Sequence, residues 1–199
     1  EDIRREICLT LEEMGVKPET SHHEQGPGQN EIDFKFSEVL ESADNLLTFK
    51  SVVKAVAARN GLFASFMPKP IPNAPGNGLH VNLSLAQNGL NIFRNAAAGE
   101  HSETAESFIA GILSKTPEIT LFLNPLANSY ARFGDYEAPK YVSWSHQNRS
   151  QLVRIPAAVG EKIRMELRSP DPSINPHLAF AFILAAGIDG IERDMALPP

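Results

Sequence analysis

An α+β fold is predicted by two patterns in this 199-residue sequence. Short segments alternate apolar and polar residues, which is typical of strands that have one covered face. Longer segments repeat apolar residues every three or four positions, which is typical of helices. We therefore expect a curved, mainly antiparallel sheet, with helices packed on its apolar face and with a polar face that lines a substrate cavity.

The composition is that of an ordinary globular protein and excludes several classes. Hydrophobic residues make up 42% and charged residues 21% of the chain. The net charge of −6 argues against a nucleic-acid partner, because such binders are normally basic. No apolar run reaches the roughly 18–20 residues that a membrane helix needs, so we expect no membrane partner. Cys8 is the only cysteine, which excludes an internal disulfide and favours a cytoplasmic location.

Four helices are predicted from apolar stripes. The first has Ile3, Ile7, Leu11 and Met14 on one stripe and ends at Gly15. The others are predicted at 46–60, 102–114 and 177–188. The last is apolar nearly all round, so we expect it to be buried on its core side.

Strands are predicted at 31–36, 80–85, 152–155 and 162–168, and a further strand ends at Glu24. Polar side chains recur at alternate positions in three of them: His80, Asn82, Ser84, Arg154, Lys162, Arg164, Glu166 and Arg168. For any single strand, a half-solvated sheet explains this alternation. Taken together, the strands place a histidine beside an asparagine and a serine, and a lysine and two arginines beside a glutamate. This combination favours a binding site over a merely solvated surface.

An arginine cluster points to an anionic substrate. Five arginines fall within 37 residues: Arg132, Arg149, Arg154, Arg164 and Arg168. The guanidinium fork suits carboxylate and phosphate oxygens, and clustered positive charges repel one another unless anions are present. The alternative is a set of weak surface ion pairs. There is no glycine-rich phosphate loop in the sequence, so a nucleotide would be held chiefly by arginines and metal.

A hairpin is predicted around Gly26-Pro27-Gly28, and it brings Glu24 near Glu31. Two neighbouring carboxylates need a cation or a shared proton. Mg²⁺ or Mn²⁺ is the simplest cation because the ligands are oxygens. A glycosidase-like acid–base pair is the rival interpretation, and the arginines favour phosphates over sugars. His22 and His23 point to opposite faces of a strand, so we expect at least one to have a packing or hydrogen-bonding role.

Six co-linear stretches of the sequence resemble the catalytic domain of bacterial type I glutamine synthetase. They lie at residues 22–34, 69–80, 124–132, 136–139, 148–156 and 164–176. Their order and spacing agree from near residue 1 to about residue 192. The resemblance implies that 1–199 is part of that domain. It also implies that the longer parent has an N-terminal β-grasp domain, an upstream Glu-x-Glu strand and a C-terminal segment.

The family joins ammonia to L-glutamate with ATP through γ-glutamyl phosphate, using two or three Mg²⁺ or Mn²⁺ ions. By resemblance, Glu24 and Glu31 are ligands of one metal, and His80 and Glu166 are ligands of a second. The parent is expected to be a dodecamer with its active sites between subunits. Without the upstream metal ligands, we expect the isolated chain to make little or no glutamine.

The resemblance also implies roles for other residues. Arg132, Arg149 and Arg168 would hold glutamate and the transferring phosphate, and Gly76 would contact the amino-acid end of glutamate. Glu137 would be the flap residue that takes a proton from ammonium, with Arg149 and Arg168 as its catalytic partners. The nucleotide would be bound by Arg154 and Arg164 and, on weaker grounds, by Glu19, Asn82, Ser84 and Lys162. The flap segment 132–137 is one residue shorter than the commoner family pattern.

Two alternatives remain open at this point. A γ-glutamyl-amine ligase of the same superfamily would keep the glutamate, ATP and metal sites but accept an organic amine such as a polyamine. A non-catalytic structural homologue would keep the fold alone. The presence of Glu24, Glu31, His80 and Glu166 disfavours the second alternative, because such proteins usually lose metal ligands.

Overall fold

The computed structural model describes residues 1–95 and 101–199. Within them lie the helices Asp2–Glu13 (α1), Val39–Arg59 (α2), Glu103–Leu123 (α3), Ala127–Tyr130 (α4) and Pro176–Glu192 (α5). The strands are Pro18–His23 (β1), Asn30–Phe34 (β2), Val81–Leu83 (β3), Ala86–Gln87 (β4), Leu90–Asn91 (β5), Trp144–His146 (β6), Val153–Ile155 (β7) and Met165–Leu167 (β8). None of the helices in these two ranges is both long and apolar enough to cross a membrane.

The central sheet has the strand order β3-β8-β7-β6 and carries one polar face. Its pairs are antiparallel except for β6 and β7, which are parallel. The register places Asn82 opposite Glu166 and Glu166 opposite Arg154. Because directly paired residues point to the same side of a sheet, these three side chains share a face. The mixed α+β class and the mainly antiparallel sheet are therefore as predicted.

Two hydrophobic clusters support different parts of the molecule. The apolar face of the central sheet packs on α3 and α5, where Phe108, Met165 and Ile183 are fully buried. The second cluster joins α1, α2 and the β1–β2 hairpin through residues that include Leu11 and Ile32. The hairpin is a separate two-stranded sheet. Its position relative to the central sheet therefore depends on contacts outside either sheet.

Several predicted boundaries were wrong. The helix predicted at 46–60 begins at Val39, and the helix predicted at 102–114 continues to Leu123. Pro117 lies on an exposed side of α3, and the helix continues past it because Ile119 and Leu123 are buried in the core. The strand predicted at 162–168 is shortened to β8 because a 3₁₀ turn occupies Gly160–Lys162. The strands predicted at 31–36 and 80–85 end earlier, at Phe34 and Leu83.

Replacing Gly190 by alanine should destabilise the α3–α5 contact. An added Cβ would lie 2.1 Å from the carbonyl oxygen of Ser107, so the helix backbones must separate. We expect the free energy of unfolding to fall by about 1–3 kcal/mol in urea denaturation. Ala181→Ser, on the exposed side of α5, should change it by less than about 0.5 kcal/mol. A neutral Gly190→Ala variant would show that the two helices do not pack this closely.

Candidate active site

The hairpin brings His22, Glu24 and Glu31 together, and we call these three residues the hairpin cluster. His22 is paired with Glu31 across β1 and β2. The turn is closed by the backbone N–H of Glu24, which donates to the carbonyl oxygen of Gln29 at 2.9 Å. One potential ligand atom from each member lies within 4.8 Å of the other two. The structure thus adds His22 to the expected pair of carboxylates.

The hairpin cluster has the electrostatics of a cation site. Burial raises the pKa of Glu31 to about 7, and the negative charges of Asp33 and Glu24 contribute to the increase. A divalent cation would relieve this repulsion, and the two carboxylates are oxygen ligands of the kind that Mg²⁺ and Mn²⁺ prefer. His23 is not a member of the hairpin cluster. Its Nδ1 lies 2.7 Å from the carbonyl oxygen of Glu24, within hydrogen-bonding distance. That is the hydrogen-bonding role predicted for one of the two histidines.

A second group, the sheet cluster, consists of His80, Arg154, Glu166 and Arg168. Glu166 is only 5% exposed and accepts hydrogen bonds from Arg154 Nη1 and, at 2.9 Å, from Arg168 Nη1. Burial raises the pKa of Glu166, but the Arg154 hydrogen bond and the Arg168 charge outweigh that effect, so the pKa is lowered overall. Glu166 is therefore a buried carboxylate held by two guanidinium groups.

His80 lies beside Glu166, with its Nδ1 3.5 Å from Glu166 Oε1. Burial and the positive charge of Arg168 lower the pKa of His80 to about 4. The imidazole is therefore neutral at physiological pH and has a lone pair for a metal. Gly78 leaves room for this ring, since a Cβ at that position would lie 2.8 Å from His80 Nε2. The predicted pair of ligands is thus adjacent in space.

The predicted catalytic residues meet at the edge of the sheet cluster. Glu137 Oε2 lies 3.8 Å from Arg149 Nη1 and 3.8 Å from Arg168 Nη2. The buried Nε atoms of Arg154 and Arg168 have no hydrogen-bond acceptor among the described residues. A buried donor without a partner costs about 1–3 kcal/mol, so these atoms suit the oxygens of an anionic ligand.

Arg132, to which the resemblance gives a substrate-clamping role, is hydrogen-bonded to the backbone in this structure. It is buried, and it donates at 2.9 Å to the backbone carbonyl oxygens of Arg168 and Ser169. Burial lowers the pKa of Arg132 to about 10, which leaves it charged at neutral pH. Its side chain lies against Gly76, where an added Cβ would meet Arg132 Cγ at 2.9 Å. In this structure Arg132 supports the strand end that carries Arg168.

The segment before Glu137 is fastened to the loop 67–77. The Lys69 ammonium is 4% exposed and donates to Asp135 Oδ2 at 2.8 Å. The hydroxyl of Tyr136 donates to the carbonyl oxygen of Asn73 at 2.9 Å. Tyr136 also has a positive φ of 53°, which non-glycine residues rarely adopt. These contacts hold Glu137 over Arg168.

Asp135→Asn should weaken this attachment because it leaves the buried Lys69 ammonium without a charged partner. We expect a loss of about 1–3 kcal/mol in the free energy of unfolding and faster amide hydrogen exchange in residues 133–138. As a control, Glu118→Gln removes the pair with Lys115, in which the Glu118 side chain is 67% exposed, and should cost less than about 0.5 kcal/mol. Equal effects from the two variants would mean that the Lys69 pair is not buried.

Comparison with known proteins identifies the family. A family model described as "Glutamine synthetase, catalytic domain" matches residues 1–199. The chain belongs to the glutamine synthetase catalytic-domain family. It is 52% identical to the glutamine synthetase of Clostridium saccharobutylicum over 201 residues, which cover 100% of this chain and 45% of that protein. It is 51% identical to the glutamine synthetase of Pyrococcus abyssi over 195 residues, covering 96% of this chain and 44% of that protein.

A solved structure agrees with this placement. The cryo-EM structure of Plasmodium falciparum glutamine synthetase matches with a TM-score of 0.93 and 34% sequence identity, over 97% of this chain and 38% of that chain. The chain therefore spans less than half the length of the relatives that it matches. The relatives include archaeal as well as bacterial proteins, so the comparison shows the family and not a bacterial subtype.

The residues expected to bind the nucleotide of a glutamine synthetase are only partly gathered. Asn82 shares the polar face with Arg154, and its Oδ1 accepts from Arg164 Nε at 2.9 Å. Ser84 and Lys162 are exposed and lie beyond the ends of β3 and β8. Glu19 lies in the separate hairpin sheet and is also exposed.

Proposed function

We propose that the protein carrying this chain is a glutamate–ammonia ligase, which forms glutamine and ADP from L-glutamate, ammonia and ATP. The single observation that supports this most is the juxtaposition, in a member of this family, of Glu166 with a neutral His80 and with two arginines that have unpaired Nε donors. The proposal includes Mg²⁺ or Mn²⁺ as cofactors, two or three per site. It also includes the bacterial type I subtype, a cytoplasmic location and a dodecameric parent with sites between subunits.

The two clusters would divide the metal chemistry between them. Glu24 and Glu31, joined by His22, would hold one divalent cation, and His80 with Glu166 would hold another. Bound cations would supply Lewis-acid polarisation of the γ-phosphate. The polar face of the central sheet would then line the active site, with Gly76 at the amino-acid end of glutamate.

The arginines and Glu137 would act on the reacting groups directly. Arg149 and Arg168 would neutralise charge on the transferring phosphoryl group, while Arg132 would contact glutamate or hold Arg168 in place. Arg154 and Arg164 would bind nucleotide phosphates, beside Asn82, Ser84, Lys162 and Glu19. Glu137 would accept a proton from ammonium, and the free ammonia would attack the γ-carbonyl of the acyl phosphate and expel phosphate. Its loop would also exclude water from that intermediate.

The assay that tests this proposal uses the complete protein with glutamate, ATP and Mg²⁺ or Mn²⁺. With ammonium present, ADP and glutamine should form in equal amounts, and chelation of the metal should stop both. Turnover with polyamines but not with ammonia would identify a γ-glutamyl-amine ligase instead. Absence of ADP release with every acceptor would identify a non-catalytic homologue.

We also propose that residues 1–199 form a partial catalytic domain, completed by an upstream β-grasp domain and Glu-x-Glu strand and by a C-terminal segment. In support, the chain matches 45% of the first relative's length, and among residues 1–95 and 101–199 each cluster offers two or three metal ligands. The purified 199-residue chain should therefore make little or no glutamine. Sustained glutamine formation by that chain alone would contradict the proposal.

A further inference from the structure

The hairpin cluster and the sheet cluster are supported by different hydrophobic clusters. The hairpin packs with α1 and α2, whereas the central sheet packs with α3 and α5. For two cations to act on one phosphate, their separation must be held to within a fraction of an ångström, because a misplacement of about 1 Å can cost on the order of 10²-fold in rate. Some contact must therefore set the distance between the two clusters.

Gln29 makes such a contact. Its Nε2 donates to the carbonyl oxygen of Gly76 at 3.0 Å and to Asn77 Oδ1 at 2.9 Å. Its Oε1 accepts from the backbone N–H of Gly26 at 3.0 Å. The side-chain amide thus uses both donor hydrogens and its acceptor in one bridge between the hairpin turn and the loop before His80.

Both ends of the bridge lead directly to candidate ligands. On the hairpin side, the carbonyl oxygen of Gln29 accepts from the backbone N–H of Glu24. On the loop side, Asn77 is fixed by its backbone N–H and its Nδ2, which donate to the carbonyl oxygens of Pro68 and Met67 at 2.7 and 2.8 Å. His80 follows three residues later, seated against Gly78.

The turn is shaped for this amide. A Cβ on Gly26 would lie 2.7 Å from Gln29 Oε1, so the amide occupies space that any other residue at position 26 would fill. Gln25, in the same turn, is exposed, whereas Gln29, four residues later, is half-buried and forms the bridge.

We propose that Gln29 is a positioning residue that sets the separation between the hairpin cluster and the sheet cluster. This inference rests on the proposed function, since it concerns the cations of that reaction. Gln29 is not one of the proposed metal or substrate ligands. It acts by holding Glu24 and His80 in one frame.

The test is a Mn²⁺ titration of the complete protein, followed by electron paramagnetic resonance. In the unaltered protein, two bound Mn²⁺ ions should show a defined spin–spin coupling. Gln29→Ala should keep both ions, with affinities changed by no more than about threefold, but should weaken and broaden that coupling. The kcat for glutamine formation should fall on the order of 10²-fold with little change in KM. Gln25→Ala, the matched control, should behave as the unaltered protein.

Asn77→Ala breaks the bridge from its other end and should broaden the coupling in the same way. The inference is overturned if Gln29→Ala and Asn77→Ala keep the coupling of Gln25→Ala, or if they only lower the unfolding midpoint. Coupled Mn²⁺ ions that respond to Gln29 in a protein that makes no glutamine would refute the proposed function and leave the positioning role intact.

Discussion

Glu166→Gln should lower the free energy of unfolding by about 3–5 kcal/mol, because it leaves the buried guanidinium group of Arg168 and the half-buried one of Arg154 without their shared carboxylate. Arg168 is 3% exposed and donates to Glu166 at 2.9 Å, so water cannot replace the lost charge easily. The same substitution removes a proposed metal ligand, and we expect glutamine formation to fall by at least about 10²-fold. Denaturation in urea and the coupled ADP assay measure the two effects separately.

The control for this variant is Glu161→Gln. Glu161 makes a comparable ion pair with Arg94 at 2.9 Å, but its side chain is 55% exposed. Its loss should cost no more than about 1 kcal/mol. If the two variants have equal stability, Glu166 is not the buried centre of a charged group, and the arrangement of the sheet cluster is wrong.

In the metal-free protein, Glu31→Gln should remove most of the loss of stability that occurs between pH 4.5 and about 7. The pKa of Glu31 is raised from 4.5 to about 7, so between these values the folded protein binds more protons than the unfolded chain. The free energy of unfolding therefore falls as pH rises through this window. After a discount for solvent screening, the loss is on the order of 2 kcal/mol. Above a pH of about 7, the variant should be more stable than the unaltered protein.

Bound metal should make the unaltered protein more stable than the Glu31→Gln variant. Excess Mn²⁺ should stabilise the unaltered protein, since binding to the folded state adds free energy in proportion to ln(1 + [metal]/Kd), and it should stabilise the variant much less. Glu12→Gln, at an exposed position of α1, should follow the unaltered protein at every pH. A Glu31→Gln protein that loses stability between pH 4.5 and about 7 as the unaltered protein does would show that Glu31 is not the residue responsible.

The pairings that the sequence predicted best were those set by the period of a strand. Alternation placed Glu166 and Arg154 each on the polar face of its own strand, and the short turn placed Glu24 near Glu31, so these parts of the two clusters follow from local rules. The helix ends were less predictable. Pro117 is an ordinary stop signal, yet α3 continues past it, because packing between helices is not visible in a single segment.

The features that the sequence did not reveal depend on register and on distant contacts. His22 joins the carboxylates only because it is paired with Glu31, and neighbouring histidines alone do not show which one faces them. The bridge from Gln29 to Asn77 spans 48 positions and has no local pattern. Strand β6 is a short edge strand parallel to β7, and its sequence does not alternate clearly.

The central claim is that carboxylates from separate β segments hold divalent cations opposite a row of arginines. Anomalous X-ray diffraction at the manganese edge, from crystals of the complete protein grown with Mn²⁺, tests it most directly. We predict one anomalous peak for a manganese ion bound by Glu24 and Glu31, and a second for a manganese ion bound by His80 and Glu166. Manganese bound elsewhere, with these four side chains free of metal, would contradict the claim.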